Sequence, residues 1–325
     1  MTRFFWACGA AVALVSCVFA DNRIEKGIIP FKPVGDQKEV PQRYRLAEHK
    51  FPYELEFYRR LPENKIELYK LRFPSPVTSP YPENNTVHAE YYRPVIQGKM
   101  PGVIVLHITG GDQSLSRTIS TILAKNGIAA LFVQMAYYGP RRPAGKRVRL
   151  LSADYNHTMA AVRQTVLDLR RAAAWLESRP EIDRQRLGIL GTSLGSFMAA
   201  LTAEMEPRLK RVVVLLGGGG FVEAYYDDPR FELIKVSLQA LGFSKADLIK
   251  LIAPADPITC AANLKDRKLL IIAGKKDEIV PPKMAEALWQ AAGKQKIVWY
   301  DCGHYTAILY LVPAMKHIVN HLKAP

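Results

Sequence analysis

From about residue 100 onward, short apolar runs alternate with longer amphipathic stretches. Val103-Ile104-Val105-Leu106-His107 is a largely β-branched run that reads as a central strand. Residues 127–133, 187–190, 211–216, 269–273 and 296–300 repeat that kind of run. Between them, residues 114–125 and 155–178 read as helices. In the longer one Val162, Val166, Leu169, Ala173 and Leu176 recur at helical spacing. Residues 317–322 lie in a C-terminal helix. Strands alternating with helices predict an α/β fold, a doubly wound and mostly parallel sheet with helices on both faces. Ligands of such sheets bind beyond the carboxyl ends of the strands.

The first third of the chain follows a different pattern. Residues 21–50 hold several prolines and many charges and read as an extended arm. Residues 53–59 and 65–73 alternate partially, as edge strands do, and residues 86–92 alternate as a further strand. Residues 73–82 form a proline-rich loop. Late in the chain, residues 221–260 interrupt the alternation with helical stretches near 233–241 and 245–251. An insertion after a strand's carboxyl end overhangs the ligand side of the sheet, so this segment is expected to be a small helical cap. The expected organisation is a leader over 1–20, an N-terminal arm with edge strands over 21–85, and the main domain over 86–325 carrying the cap.

One motif carries chemistry. Gly191-Thr192-Ser193-Leu194-Gly195-Ser196 follows the apolar run Leu187-Gly188-Ile189-Leu190 and precedes a stretch of helix formers. Gly-x-Ser-x-Gly between a strand and a helix forms a sharp turn that presents the serine hydroxyl above the sheet edge. Residues two before and two after the serine must lack bulk, and Gly191 and Gly195 meet that need.

A free hydroxyl is a poor nucleophile, so an acid and then a histidine are required at later strand ends. Asp277 follows the strand that stops at Gly274, and His304 follows the strand ending near Tyr300. The order Ser193, Asp277, His304 fits the motif. Glu278, Asp301 and Glu223 are weaker candidates for the acid, and His107 precedes the serine. An oxyanion needs at least two donors. The amide of Leu194 is the expected first; an amide at Thr109 or Gly110, in the loop after His107, is the expected second.

Composition narrows the picture. The chain of 325 residues is 49% hydrophobic and 23% charged, as globular proteins are. Met1-Thr2-Arg3, the apolar residues 4–15 and Val18-Phe19-Ala20 read as a secretory signal cleaved after Ala20. In a second reading, Leu14-Val15-Ser16-Cys17 is a lipobox and Cys17 carries a lipid anchor. Both readings predict work outside the cytoplasm, periplasmic or secreted. Cys260 and Cys302 remain in the folded part, as a disulfide or as two buried thiols. Two cysteines are too few for a metal framework. The net charge of +15 is dispersed, densest over residues 141–149, with no nucleic-acid motif beside it. No nucleic-acid partner is therefore expected; the basic stretch hints weakly at an anionic substrate.

From about residue 86 to the C-terminus the chain resembles the α/β-hydrolase superfamily, closest to its dienelactone-hydrolase-like and acetyl-xylan-esterase-like branch. The stretches that carry the resemblance are Ala89-Glu90-Tyr91-Tyr92-Arg93-Pro94, residues 103–109, 182–188 and 274–282, the serine motif, and Gly303-His304. It implies a serine esterase that needs no cofactor or metal and acts on acetylated sugars, lactones or related small esters. Peptidases and acyltransferases share the fold, and so would a binding protein that had lost turnover. The absence of a large β-rich N-terminal domain argues against an oligopeptidase of the propeller type. Residues 136–143 resemble a loop of related hydrolases, which implies that Tyr137, Tyr138 and Arg141 line the acyl or alcohol pocket. The chain departs from the family at Ile108, where glycine is usual, and at Ser196, where a further glycine is common.

Overall fold

The computed structural model describes residues 24–61, 65–110 and 112–324. The expected leader and Cys17 lie outside the described residues. Along the chain come β1 (Ile24–Phe31), β2 (His49–Leu61), β3 (Ile66–Pro74), β4 (Thr86–Pro94), β5 (Met100–Leu106), α1 (Ser114–Lys125) and β6 (Ala129–Val133). Then follow α2 (Tyr155–Ser178), β7 (Ile182–Thr192), α3 (Leu194–Met205), β8 (Arg211–Leu215), α4 (Phe221–Tyr225), α5 (Glu232–Ala240) and α6 (Lys245–Ile252). β9 (Lys268–Gly274), α7 (Pro282–Ala291), β10 (Lys296–Tyr300) and α8 (Leu311–Lys323) complete the fold.

All ten strands form one sheet in the order β1-β2-β3-β4-β6-β5-β7-β8-β9-β10. β1 to β4 are antiparallel neighbours, β4 joins β6 antiparallel, and β6 through β10 run parallel. This is the α/β-hydrolase fold. The chain leaves β5 toward β6 and returns past β5 to β7. That reversal opens a crevice at the carboxyl ends of the strands.

Alternation along the strands builds two cores. Ile104, Leu106, Ile189, Val212, Val214 and Ile271 face one side, where α2, α3 and α7 pack. Val103, Val105, Leu190, Val213, Leu270 and Ile272 face the other, under α1 and α8. Burial on both faces explains why the parallel strands read as unbroken apolar runs.

The expected arm differs from what is found. Residues 24–31 are a strand, paired with β2 from Ile24↔Glu56 to Phe31↔His49. A buried ionic cluster secures it. Arg170 of α2 donates to Glu206, which also accepts from Arg208, and both guanidinium groups lie over the Phe31 ring at 5.7 and 5.4 Å. The charges that make 21–50 look like an arm include partners of groups far along the chain, which no local pattern reveals. The sequence reading also passed over α7, whose start at Pro282 is a favoured first helical position.

Residues 221–260 hold the short helices α4 to α6 after the carboxyl end of β8. Asp256 closes the base of this segment by accepting from the amides of Gly220, Phe221 and Ile258. Cys260 and Cys302 are both free thiols.

Candidate active site

Ser193 sits between β7 and α3 with φ 52° and ψ −119°, a conformation rare for a residue with a side chain. The close packing of the turn shows why glycine flanks it. A Cβ at position 191 would overlap the Gly195 carbonyl, and one at 195 would lie 2.6 Å from the His107 carbonyl oxygen. The Ser193 amide donates to Leu215 O at 2.9 Å, which ties the turn to β8. The Ser196 hydroxyl donates back to Ser193 O at 2.5 Å, so the serine at that departure stabilises the turn.

β9 and β10 bring the other two residues to the same edge. His304 Nε2 lies 3.0 Å from Ser193 Oγ, and His304 Nδ1 lies 2.8 Å from Asp277 Oδ2. Asp277 is buried, and its Oδ1 accepts from the amides of Ile279 and Val280 at 2.9 and 2.7 Å. These two donors orient the carboxylate toward the ring. Asp301 pairs with Lys276 at 2.9 Å, on the surface. Glu278 lies against Gly303.

The loop after β5 is held by His107, which is fully buried. Its Nε2 accepts from the Met135 amide at 3.1 Å, so Nδ1 carries the proton and donates to Ile108 O at 2.8 Å. Holding that carbonyl turns the amide of the same peptide, at Thr109, the opposite way. Burial pushes His107 down to about 4. Unfolding returns the ring to about 6.5. Its neutral burial therefore contributes fully above about pH 6.5, and that contribution is lost as the pH falls toward 4. We expect a loss of about 3 kcal/mol across this window relative to His107→Gln, measured by denaturant unfolding at successive pH values. Parallel pH profiles for the two proteins would show that His107 is not buried in its neutral form.

Tyr137, Tyr138 and Arg141 are not in the cavity wall, contrary to what the resemblance implied. The Tyr138 ring packs 4.5 Å from that of His107. It supports that histidine from one side. Tyr137 is buried between Tyr81 and His157, and its amide donates to Asn84. Arg141 is wholly buried, donating to Asp168 at 2.7 Å, to Asn84 O at 2.9 Å and to Gln134 O at 3.1 Å. It knits the loop after β6 to α2, so this arginine offers no charge to a ligand. Arg141→Ala would strand a buried carboxylate and is expected to cost about 3–5 kcal/mol of stability in denaturant unfolding. An unchanged midpoint would contradict this role.

The cavity beside Ser193 has a volume of about 480 Å³. Leu115, Leu215, Leu216, Ile308, Leu311 and Ala314 form most of its apolar wall, with Thr109, Thr192 and His304 at its polar end. Sequence reasoning missed this wall. Its visible signal was the apolar run over residues 307–312, just after His304. No residue of the cap lines the cavity, so the insertion does not roof it as expected. Tyr225 of this segment donates its hydroxyl to the carbonyl of Ile279, a wall residue, at 2.5 Å. Among the described residues, no group of three or more His, Cys, Asp or Glu side chains is placed to hold a metal ion.

The family model described as alpha/beta hydrolase domain containing 18 matches residues 31–227, more than half of the chain. The chain belongs to the alpha/beta hydrolase domain containing 18 family. A second model, the prolyl oligopeptidase family, matches residues 156–306 of this α/β-hydrolase. An uncharacterized Mycobacterium tuberculosis protein is 30% identical over 149 residues, 43% of this chain and 33% of that relative. The chain thus spans about a third of the length of that curated relative. Among solved structures, acetyl xylan esterase 1 from a Thermoanaerobacterium species superposes with a TM-score of 0.62 at 20% identity. The match covers 84% of this chain and 88% of that one. A putative dienelactone hydrolase from Klebsiella pneumoniae gives 0.54 at 19% identity, over 79% and 99%. At these identities the likeness is one of fold.

Proposed function

We propose that this α/β-hydrolase is a serine hydrolase of carboxylic esters that works through an acyl-enzyme. The observation that carries the reading is His304, which stands within hydrogen-bond reach of Ser193 Oγ on one side and Asp277 on the other. Ser193 Oγ attacks the ester carbonyl while His304 Nε2 takes its proton. The bond to the alcohol oxygen then breaks and His304 returns the proton to it. Water, activated by the same ring, cleaves the acyl-enzyme and regenerates Ser193. Asp277 keeps Nδ1 protonated and stabilises the imidazolium.

Oxyanion stabilisation falls to two amides. Leu194 opens α3, where the first helical N–H groups have no acceptor within the helix. Thr109 is the second, because it lines the cavity while His107, by holding the Ile108 carbonyl, sets the Ile108–Thr109 peptide.

The prolyl oligopeptidase match favours a second reading, a peptidase of the same fold. The ester reading is preferred because the cavity wall holds no carboxylate, lysine or arginine to fix a peptide's termini. The names of the solved neighbours, an acetyl xylan esterase and a dienelactone hydrolase, also support it. With residues 1–20 read as a leader, the reaction would run outside the cytoplasm.

The test is labelling with a fluorophosphonate, followed by mapping of the modified residue. Covalent labelling at Ser193, lost in Ser193→Ala, is expected. Labelling elsewhere, or none, would overturn the proposal. Turnover of p-nitrophenyl esters without cleavage of matched p-nitroanilide amides separates the ester reading from the peptidase one.

A further inference from the structure

We infer that the cavity beside Ser193 receives the acyl half of the ester and selects unbranched apolar chains of several carbons over acetyl. This rests on Ser193 being the nucleophile. It runs against acetylated sugars as the preferred substrates.

Size and chemistry of the wall point the same way. A cavity of about 480 Å³ is far larger than the ~30 Å³ share of one water, so an acetyl methyl leaves most of it unfilled. Leu215, Leu216 and Ala314, all buried, close its back. Leu115, Ile308 and Leu311 complete the apolar sides. The hydroxyls of a sugar would lose their hydration against such a wall with few partners to replace it. The apolar surface also continues past the mouth. Tyr305, Ile308, Leu309 and Val312, in the segment that leads into α8, are exposed.

Covalency decides which half of the ester sits inside. After the C–O bond breaks, the alcohol must leave and water must enter, which needs an open side. The acyl group stays bonded to Oγ and is the part that gains from enclosed apolar space in both halves of the reaction. The Thr192 hydroxyl, buried and without a partner among the described residues, is a polar feature of the wall that a purely apolar chain leaves unused.

The experiment compares kcat/KM for p-nitrophenyl acetate, butyrate, hexanoate and octanoate, with acetates of alcohols of matched lengths as the second series. With the leaving group constant, kcat/KM should rise about fourfold per added methylene until the cavity is full, and so more than tenfold from acetate to butyrate. The alcohol series should be nearly flat. Ala314→Leu, which fills the back wall, should lower the octanoate-to-acetate ratio at least tenfold. Thr192→Val should raise the hexanoate-to-acetate ratio; a fall would mean that a polar acyl group is recognised. A wild-type profile that is best for acetate, or that follows the alcohol, overturns the inference whether or not the variants fold. Fluorophosphonate labelling of Ser193 in that same preparation would show that the nucleophile reading still stands.

Discussion

Ser193→Ala lowers kcat/KM for its best p-nitrophenyl ester by about 10⁴- to 10⁶-fold, with the fold intact. The loss is this large because no neighbouring group can replace Oγ. Thr192 precedes it in the strand, and the Ser196 hydroxyl is committed to Ser193 O at 2.5 Å. Ala fits the position sterically, since the flanking glycines already make room for the turn. What remains in the variant is substrate binding and the amides of the oxyanion loop, which by themselves leave a small residual rate over water. Steady-state kinetics on purified variant, with circular dichroism as the folding control, gives the answer. A loss under about a hundredfold would mean that another group performs the attack.

The second large effect falls on Asp277→Asn, with an expected loss of about 10⁴-fold in kcat. Its direction follows from the hydrogen bonds of the carboxylate. Oδ1 accepts from two amides, Ile279 and Val280, while Oδ2 faces His304 Nδ1. In the variant those two amides claim the side-chain oxygen, so the Asn NH₂ turns toward the ring. Nδ1 must then accept, the proton moves to Nε2, and Nε2 can no longer take the Ser193 proton. The structure should change little, because the variant is isosteric and keeps the amide contacts. Unchanged stability with a collapsed kcat is therefore the expected pair of results. Stability falling in step with activity would make Asp277 a structural residue.

How much of this was legible in the chain depends on how local each signal is. β5, α1 and α2 could be read because their spacing is a property of a few successive residues. The sharp turn at Ser193 was legible for the same reason: Gly191 and Gly195 answer a steric demand made within one turn. Arg141 shows the opposite case. Beside Arg142, Lys146 and Arg147 it reads as part of a basic surface patch. Its partner Asp168 lies 27 residues away on a helix, and only folding brings the two together. Tyr137 and Tyr138 were assigned to a pocket by resemblance, and the packing turns them toward His157 and His107 instead. Glu206 and the arginines around it gave no sign that residues 24–31 would be held as a strand.

By itself, the sequence determined the α/β-hydrolase fold and nominated Ser193, Asp277 and His304, because periodicity, turn chemistry and chain order are local or linear properties. The tertiary structure alone decided that these three side chains meet, that His107 holds the Ile108 carbonyl, and that the wall draws on β8 and α8 and not on residues 221–260. Those outcomes depend on which surfaces pack together and which buried polar groups find partners. Both are settled between residues far apart in the chain, where no short-range pattern can carry the information.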